Sequence, residues 1–295
     1  MSFVLTLIST ERTKAVTQDL MNRCKTALPK PETPQWLAED IACDIPFGGA
    51  DNIEAIEAKI RDIIGTDPVD IAVLEIENRR KQLLIADMDS TIIEQECIDE
   101  MGDVIGIGDK IAAITEKAMR GELNFEAALK ERVSYLKGSP ATIIDDILAD
   151  RITLTPGAKT LVKTMNQSGA VTALVSGGFT QFTKDVAART GFANVQANEL
   201  LIAEGKLTGR VREPILGQDA KREALTKLCK ENGLNLAQAL AVGDGANDLA
   251  MINEAGLGVA FHAKPAVAKA ARVRIDHADL TALLYLQGIP RKDFK

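Results

Sequence analysis

Four short apolar segments in the second part of the chain each lead into a loop with glycine or acidic residues, and helical periodicity follows. Apolar runs of this length are typical of buried strands in a parallel sheet, because helices cover both faces of such a sheet. The pattern predicts an α/β fold with an open, doubly wound parallel sheet over residues 81–295. The segments are LLIADMD at 83–89, AVTALVSGG at 170–178, QALAVGDG at 238–245 and GLGVAF at 256–261.

Three other regions have different patterns. Residues 1–80 alternate between strand-like and helical segments, which predicts a small α/β unit of the ferredoxin-like kind with three strands. The stretch from about 94 to 154 is almost wholly helical in pattern and exceeds an ordinary crossover, so we predict an inserted helical cap. Apolar runs on either side of Glu204, Gly205 and Lys206 predict a β-hairpin.

Composition limits the classes of function. A net charge of −7 over 295 residues argues against a nucleic-acid-binding surface, which needs clustered lysine and arginine. No apolar stretch approaches the roughly 20 residues that span a bilayer, and the opening MSFVLTLISTERTK predicts a strand rather than a signal peptide. The cysteines show no paired spacing, which predicts free thiols and a cytoplasmic protein. They are Cys24, Cys43, Cys97 and Cys229.

The loop DMDST places Asp87 and Asp89 at the end of a buried strand. Ligands of open α/β sheets bind beyond the carboxyl ends of the strands, so both acids are predicted to face a crevice. A carboxylate there is able to attack phosphorus if a cation screens it, and a second carboxylate two residues on is able to transfer protons. The residues alone fit equally well a pair of helix-capping acids or half of a calcium loop.

A second acidic loop, VGDGAND at 242–248, follows another apolar strand and contains Asp244 and Asp248. Together with the first loop it directs four carboxylates toward one crevice, and such a density of charge favours a bound Mg²⁺ ion. In the alternative interpretation, Asn247 or Asp248 only caps the helix that follows.

Two weaker signals complete the set. VSGGF at 175–179 places a serine hydroxyl beside glycine N–H groups, which suits phosphate oxygens but is also common in ordinary turns. Lys221 opens a predicted helix, where the macrodipole disfavours a cation, so it needs an anionic partner unless it is simply solvated.

In order along the chain, DMDST, VSGG, Lys221 and VGDGAND resemble the four signature motifs of the haloacid dehalogenase superfamily of phosphotransferases, over about residues 83–295. DMDSTIIEQECIDE and GELNFEAALKERV resemble the branch of that superfamily that hydrolyses phosphoserine. Residues 1–80 resemble the small ACT-like domain attached to its bacterial members. The resemblance implies a small-molecule substrate, and the sequence leaves a homodimer open.

The resemblance also implies a role for each matched residue. Asp87 would be the nucleophile that forms an aspartyl-phosphate, and Asp89 would protonate the leaving hydroxyl and later activate water. Mg²⁺ would be bound by Asp87, the backbone carbonyl of Asp89 and Asp244, with Asp248 in support. The resemblance further implies that Ser176, Gly177 and Lys221 hold the phosphoryl oxygens and that Asn247 positions a nearby group. Glu96 would bind the ammonium group of the substrate, and Arg132 would bind its carboxylate.

Two alternatives stay open. The same chemistry would serve phosphoethanolamine, phosphocholine or phosphothreonine, or transfer to another alcohol, although an arginine that binds a carboxylate opposes the two amine esters. A phospho-aspartate signalling module also combines a doubly wound sheet with acids, a hydroxyl residue and a lysine. Such modules lack an acid two residues after the phosphorylated aspartate, so Asp89 favours a phosphatase.

Overall fold

The computed structural model describes residues 2–119, 122–217 and 219–295, without the side chain of Met119. Gly121, the first residue of the segment GELNFEAALKERV, therefore lies outside the described residues. The strands form a four-stranded sheet, a six-stranded sheet and a two-stranded hairpin. They are β1 (Ser2–Ile8), β2 (Gln35–Ala38), β3 (Ala42–Gly48), β4 (Asp70–Glu75), β5 (Leu83–Ala86), β6 (Val171–Phe179), β7 (Asn194–Asn198), β8 (Leu200–Ala203), β9 (Lys206–Val211), β10 (Ala239–Gly243), β11 (Leu257–Phe261) and β12 (Val273–Ile275).

The α-helices surround these sheets, and among the described residues none is long and apolar enough to cross a membrane. The helices are α1 (Gln18–Ala27), α2 (Ile53–Ile64), α3 (Cys97–Val104), α4 (Gly108–Met119), α5 (Phe125–Ser134), α6 (Ile143–Asp150), α7 (Ala158–Gln167), α8 (Thr180–Thr190), α9 (Ala220–Glu231), α10 (Leu249–Glu254), α11 (Pro265–Ala270) and α12 (Ala282–Leu286).

The six-stranded sheet is parallel throughout, in the order β12-β11-β10-β5-β6-β7. Successive side chains of a strand point to opposite faces. In β5, Leu84 and Ala86 accordingly pack into the core that contains α7 and α8, whereas Leu83 and Ile85 pack into a separate core with α9 and α10. Both faces are covered, so the prediction of a doubly wound sheet is confirmed.

Helices α3 to α6 lie between β5 and β6 in the chain, within the stretch predicted to be helical. The predicted hairpin is also confirmed, as β8 and β9 pair in antiparallel fashion. The hairpin binds the connection between α5 and α6, because Gly138 N–H donates to Leu207 O at 2.8 Å and Ala141 N–H donates to Gly205 O at 2.8 Å. These backbone contacts hold the connection that follows α5 against the hairpin.

The N-terminal sheet is antiparallel, with strand order β2-β3-β1-β4 and connectivity β-α-β-β-α-β. The prediction of three strands is wrong, because the stretch WLAEDIACDIPF contains two strands instead of one. The chain reverses at residues 39–41, where Asp40 has a left-handed φ of 59°, a conformation that aspartate tolerates better than most residues. The connectivity is that of a complete ferredoxin-like unit.

Both faces of the N-terminal sheet are buried. Leu5, Ile45 and Val73 pack beneath α1 and α2, whereas neighbouring residues such as Val4 and Ala72 belong to the core of the main sheet and α12. The N-terminal unit is therefore packed against the rest of the protein on a broad apolar surface.

A buried ion pair reinforces this contact. Arg79 binds both carboxylate oxygens of Asp44 at 2.5 and 2.7 Å, and it also donates to Thr6 Oγ1 at 2.7 Å. The same guanidinium donates to the carbonyl oxygens of Tyr285 and Leu286 in α12, at 3.0 and 2.7 Å. One side chain thus connects the N-terminal sheet to a helix of the main unit.

Candidate active site

Asp87 follows β5 at the carboxyl edge of the main sheet. Its backbone N–H donates to Val242 O in β10 at 3.0 Å, which extends the pairing of the two strands by one residue. Asp87 Oδ1 accepts hydrogen bonds from Met88 N–H at 2.7 Å and from Lys221 Nζ at 2.7 Å. Oδ2 has no hydrogen-bond partner in the described part of the chain, so one oxygen is left for a ligand.

Asp87, Asp244 and Asp248 meet at this edge, and each offers a carboxylate oxygen within 4.8 Å of the others. All three residues are buried. The close approach of Asp248 requires a glycine at 243, because a Cβ atom there would lie 2.3 Å from Asp248 Cγ. Asp248 is fixed further by a hydrogen bond from Gly245 N–H to its Oδ2 at 2.9 Å.

Lys221, at the second position of α9, has the anionic partners that its position in the helix requires. Its Nζ lies 2.7 Å from Asp87 Oδ1 and 2.5 Å from Asp248 Oδ1, and its side chain is only 4% exposed. Burial alone would lower the pKa of Lys221, but Asp248 and Asp87 outweigh it and raise the pKa above its ordinary value. Lys221 therefore remains charged and neutralises part of the cluster.

One buried ammonium group does not balance three buried carboxylates. Burial, and secondly the charge of Asp248, raise the pKa of both Asp87 and Asp244. A hard divalent cation would remove this destabilisation, since clustered carboxylate oxygens are the ligands that Mg²⁺ prefers. The donor set therefore fits the predicted metal.

The carboxylate of Asp89 lies apart from this cluster. Its Oδ1 accepts a hydrogen bond from Cys97 N–H at 2.8 Å, and its Oδ2 accepts one from Ser176 Oγ at 3.1 Å. The backbone between Asp87 and Ile92 is irregular, and Ser90 has a left-handed φ of 54°. This turn separates the two acids of DMDST, so that Asp87 joins the cluster and Asp89 faces the loop around Ser176.

Ser176 and Gly177 lie in an irregular part of β6, where the pairing with β7 is interrupted between Val175 and Phe179. Gly178 N–H donates to Ser176 Oγ at 2.8 Å. A side chain at 177 would collide with Phe125 of α5, since a Cβ atom would lie 2.9 Å from its ring. A narrow pocket at this point is lined by Phe125, Val175, Ser176, Gly177, Leu216, Gly217, Ala220, Lys221 and Asn247.

Glu96 and Arg132 lie on the inserted helices. Glu96 precedes α3 and accepts a hydrogen bond from Ser90 Oγ at 2.8 Å; burial, and secondly the charge of Asp89, raise its pKa to about 7. Arg132 in α5 is partly buried, and burial lowers its pKa. The charges of Asp99, Glu96 and Asp89 raise the pKa and offset part of that shift. Among the described residues, Arg132 donates only to Ala128 O, at 3.4 Å, and it forms no ion pair.

Sequence reasoning assigned no role to two residues that contact Asp244. Thr91 Oγ1 donates to Asp244 Oδ1 at 3.3 Å, and Lys264 Nζ lies 4.0 Å from Asp244 Oδ2. Thr91 belongs to DMDST itself, and Lys264 follows the apolar segment GLGVAF. Polar residues just after each predicted strand are therefore the signal that would have identified both.

The family model for haloacid dehalogenase-like hydrolases matches residues 84–253. A phosphoserine phosphatase of Lactococcus lactis is 45% identical over 204 residues, which cover 69% of this chain and 94% of that protein. A phosphoserine phosphatase of Streptomyces coelicolor is 44% identical over 227 residues, and the match covers 76% of this chain but only 55% of that relative. The crystal structure of a HAD family hydrolase of Salmonella enterica serovar Typhi superimposes with a TM-score of 0.86 at 28% identity, covering 97% of this chain and 98% of that one. The chain therefore belongs to the haloacid dehalogenase-like hydrolase family.

Proposed function

We propose that this protein is a phosphoserine phosphatase, which hydrolyses O-phospho-L-serine to L-serine and phosphate in the last step of serine biosynthesis. The observation that carries the proposal is the meeting of Asp87, Asp244 and Asp248 at the carboxyl edge of the sheet, where Lys221 pairs with Asp87 and Asp248. The relatives from Lactococcus lactis and Streptomyces coelicolor support this substrate, as both are phosphoserine phosphatases.

The reaction proceeds in two displacements. An oxygen of Asp87 attacks phosphorus and forms an aspartyl-phosphate while the bond from phosphorus to the serine oxygen breaks; Asp89 donates a proton to that oxygen. Asp89 then takes a proton from water, whose oxygen attacks phosphorus and releases phosphate and the Asp87 carboxylate. Asp89 suits both proton transfers because Cys97 N–H and Ser176 Oγ hold its carboxylate beside the phosphate-binding loop.

Asp87, the backbone carbonyl of Asp89 and Asp244 would hold Mg²⁺, with Asp248 in support. When bound, the ion screens the nucleophile from the negative phosphoryl group and stabilises charge in the transition state. Ser176, Gly177 and Lys221 bind the phosphoryl oxygens, and Asn247, which lines the same narrow pocket, positions a neighbouring group.

Arg132 and Glu96 recognise the amino-acid part of the substrate. Arg132 is partly buried without an ion-pair partner among the described residues, so a substrate carboxylate would supply the anion that its guanidinium lacks. Glu96 offers a carboxylate to the substrate ammonium group, and a nearby cation favours its charged form.

Replacement of Arg132 by alanine should raise KM for phosphoserine by about 10- to 100-fold, the range for a lost charge-assisted hydrogen bond. KM for phosphoethanolamine, which has no carboxylate, should change less than about threefold. Steady-state phosphate release with both esters measures the difference. Arg151→Ala is the matched control, because Arg151 lies at the end of α6 and pairs with Glu100 at the surface. Equal losses for the two esters would show that Arg132 does not bind the carboxylate.

Substrate profiling tests the function directly. Phosphate release should be fastest with phosphoserine in a set that includes phosphothreonine, phosphoethanolamine and phosphocholine, and a chelator should abolish it until Mg²⁺ is restored. Equal rates with the amine esters would refute the proposed specificity. A stable phosphorylated protein without phosphate release would instead indicate a signalling module.

The proposal extends to the organisation of the protein. We assign residues 81–295 to the phosphatase unit, residues 94–154 to a helical cap, and residues 1–80 to an ACT-like domain, which the connectivity β-α-β-β-α-β of the N-terminal sheet supports. Four free, buried cysteines fit the reducing cytoplasm. A homodimer is compatible with this arrangement.

A further inference from the structure

The loop after β11 holds the backbone of Lys264 beside Asp244. Lys264 N–H donates to Asp244 O at 3.2 Å, and Lys264 O accepts from Val267 N–H and Ala268 N–H of α11 at 2.9 and 3.0 Å. Two residues earlier, His262 has a left-handed φ of 44°, and its Nε2 lies 2.8 Å from Ala278 O. The backbone of Lys264 is therefore fixed next to the carboxylate cluster.

The side chain itself is much less constrained. Its ammonium nitrogen lies 4.0 Å from Asp244 Oδ2, beyond hydrogen-bond distance, and the side chain is 60% exposed. Lys221, in contrast, is buried and bonded to two carboxylates.

The two lysines lie near different carboxylates of the cluster. Lys221 compensates Asp87 and Asp248. Among the residues that the structure describes, Asp244 has Lys264 as its nearest cation and a single side-chain hydrogen bond, from Thr91 at 3.3 Å. An exposed ammonium group that forms no hydrogen bond is easily displaced, because a lysine head is strongly hydrated and its stem is flexible.

We propose that Lys264 is a positioning residue for the metal site: it compensates Asp244 while the divalent cation is away and competes with that cation for Asp244. The inference rests on the metal site of the proposed function. Lys264 stabilises the metal-free cluster, and its charge repels an incoming cation. Both effects weaken metal binding, so the residue would keep the ion exchangeable.

The test is direct binding of Mn²⁺, and of Mg²⁺ by competition, to the full chain by titration calorimetry. Lys264→Met should lower Kd for the metal about tenfold, the effect expected of a charge a few ångströms away in a water-exposed setting. Lys264→Arg should bind the metal within about twofold of wild type, because the charge remains. High salt should narrow the difference between Lys264→Met and wild type, since exposed charges are screened.

Lys269→Met provides the matched control. Lys269 is an exposed lysine of α11, the helix that begins directly after Lys264, and it forms no ion pair with the residues that the structure describes. An unchanged metal Kd in Lys264→Met, or an equal change in Lys269→Met, would overturn the inference. A raised KM for phosphoserine with an unchanged metal Kd would also overturn it, because Lys264 would then act on the substrate. Absence of metal binding in wild type as well would refute the proposed metal site itself.

Discussion

Replacement of Asp87 by asparagine should reduce kcat for phosphoserine by at least about four orders of magnitude while the protein remains folded. The loss follows from chemistry, since an amide oxygen is a poor nucleophile and carries no charge to bind a cation. The fold should survive because asparagine still accepts the hydrogen bonds that Met88 N–H and Lys221 give to Oδ1. One fewer buried carboxylate also reduces the repulsion from Asp248.

Phosphate release and urea unfolding, measured on the same preparation, separate these effects. Asp150→Asn is the control for the change of aspartate to asparagine. Asp150 is exposed at the end of α6 and belongs to none of the four motifs DMDST, VSGG, Lys221 and VGDGAND. Activity of Asp87→Asn above about one percent of wild type would show that another group attacks phosphorus.

Replacement of Arg79 by alanine should lower the free energy of unfolding by about 3 to 5 kcal/mol, the range for a broken buried ion pair. The change would leave the buried Asp44 with Thr6 as its one side-chain partner in the described part of the chain, and it would remove the donor to two carbonyl oxygens of α12. Urea denaturation followed by circular dichroism measures the loss.

Arg80→Ala is the neighbouring control, because Arg80 is exposed and makes one long hydrogen bond, at 3.5 Å, to Gly288 O. It should change the free energy of unfolding by less than about 0.5 kcal/mol. The double variant Arg79→Met with Asp44→Leu should recover much of the loss, since it leaves no unpaired buried charge. A loss below about 1 kcal/mol in Arg79→Ala would mean that water replaces the guanidinium.

The main sheet was predictable because its strands are buried on both faces and therefore read as continuous apolar runs, such as LLIA and ALAVG. The N-terminal sheet was harder. β2 is a four-residue edge strand with Trp36 partly exposed, and it joins β3 through a three-residue reversal without glycine or proline. Asp40 is the one turn-favouring residue of that reversal, too weak a signal to divide the stretch, so the pattern predicts a single strand.

Within the site, residues at the ends of the parallel strands were predictable from the sequence pattern, whereas residues on the inserted helices were not. Asp87, Ser176 and Asp244 lie at or next to the carboxyl ends of parallel strands, where topology alone brings them together. Glu96 and Arg132 lie on inserted helices, whose placement over the sheet depends on long-range packing that periodicity does not encode. Only the resemblance to known motifs singled them out. Lys264 lies just after a predicted strand, as the first three residues do, but the sequence does not indicate which carboxylate a lone lysine in a loop contacts.

The hydrogen bond from Cys97 N–H to Asp89 has a consequence for the timing of the reaction. Cys97 is the first residue of α3, so the carboxylate of Asp89, which we propose transfers protons, is bound to the inserted helices as well as to the sheet. A tilt of α3 that admitted substrate would also free Asp89 from one of its two restraints. Substrate entry and the alignment of Asp89 would then exclude each other. Asp89 would be aligned for proton transfer only after α3 has returned over the bound phosphate ester.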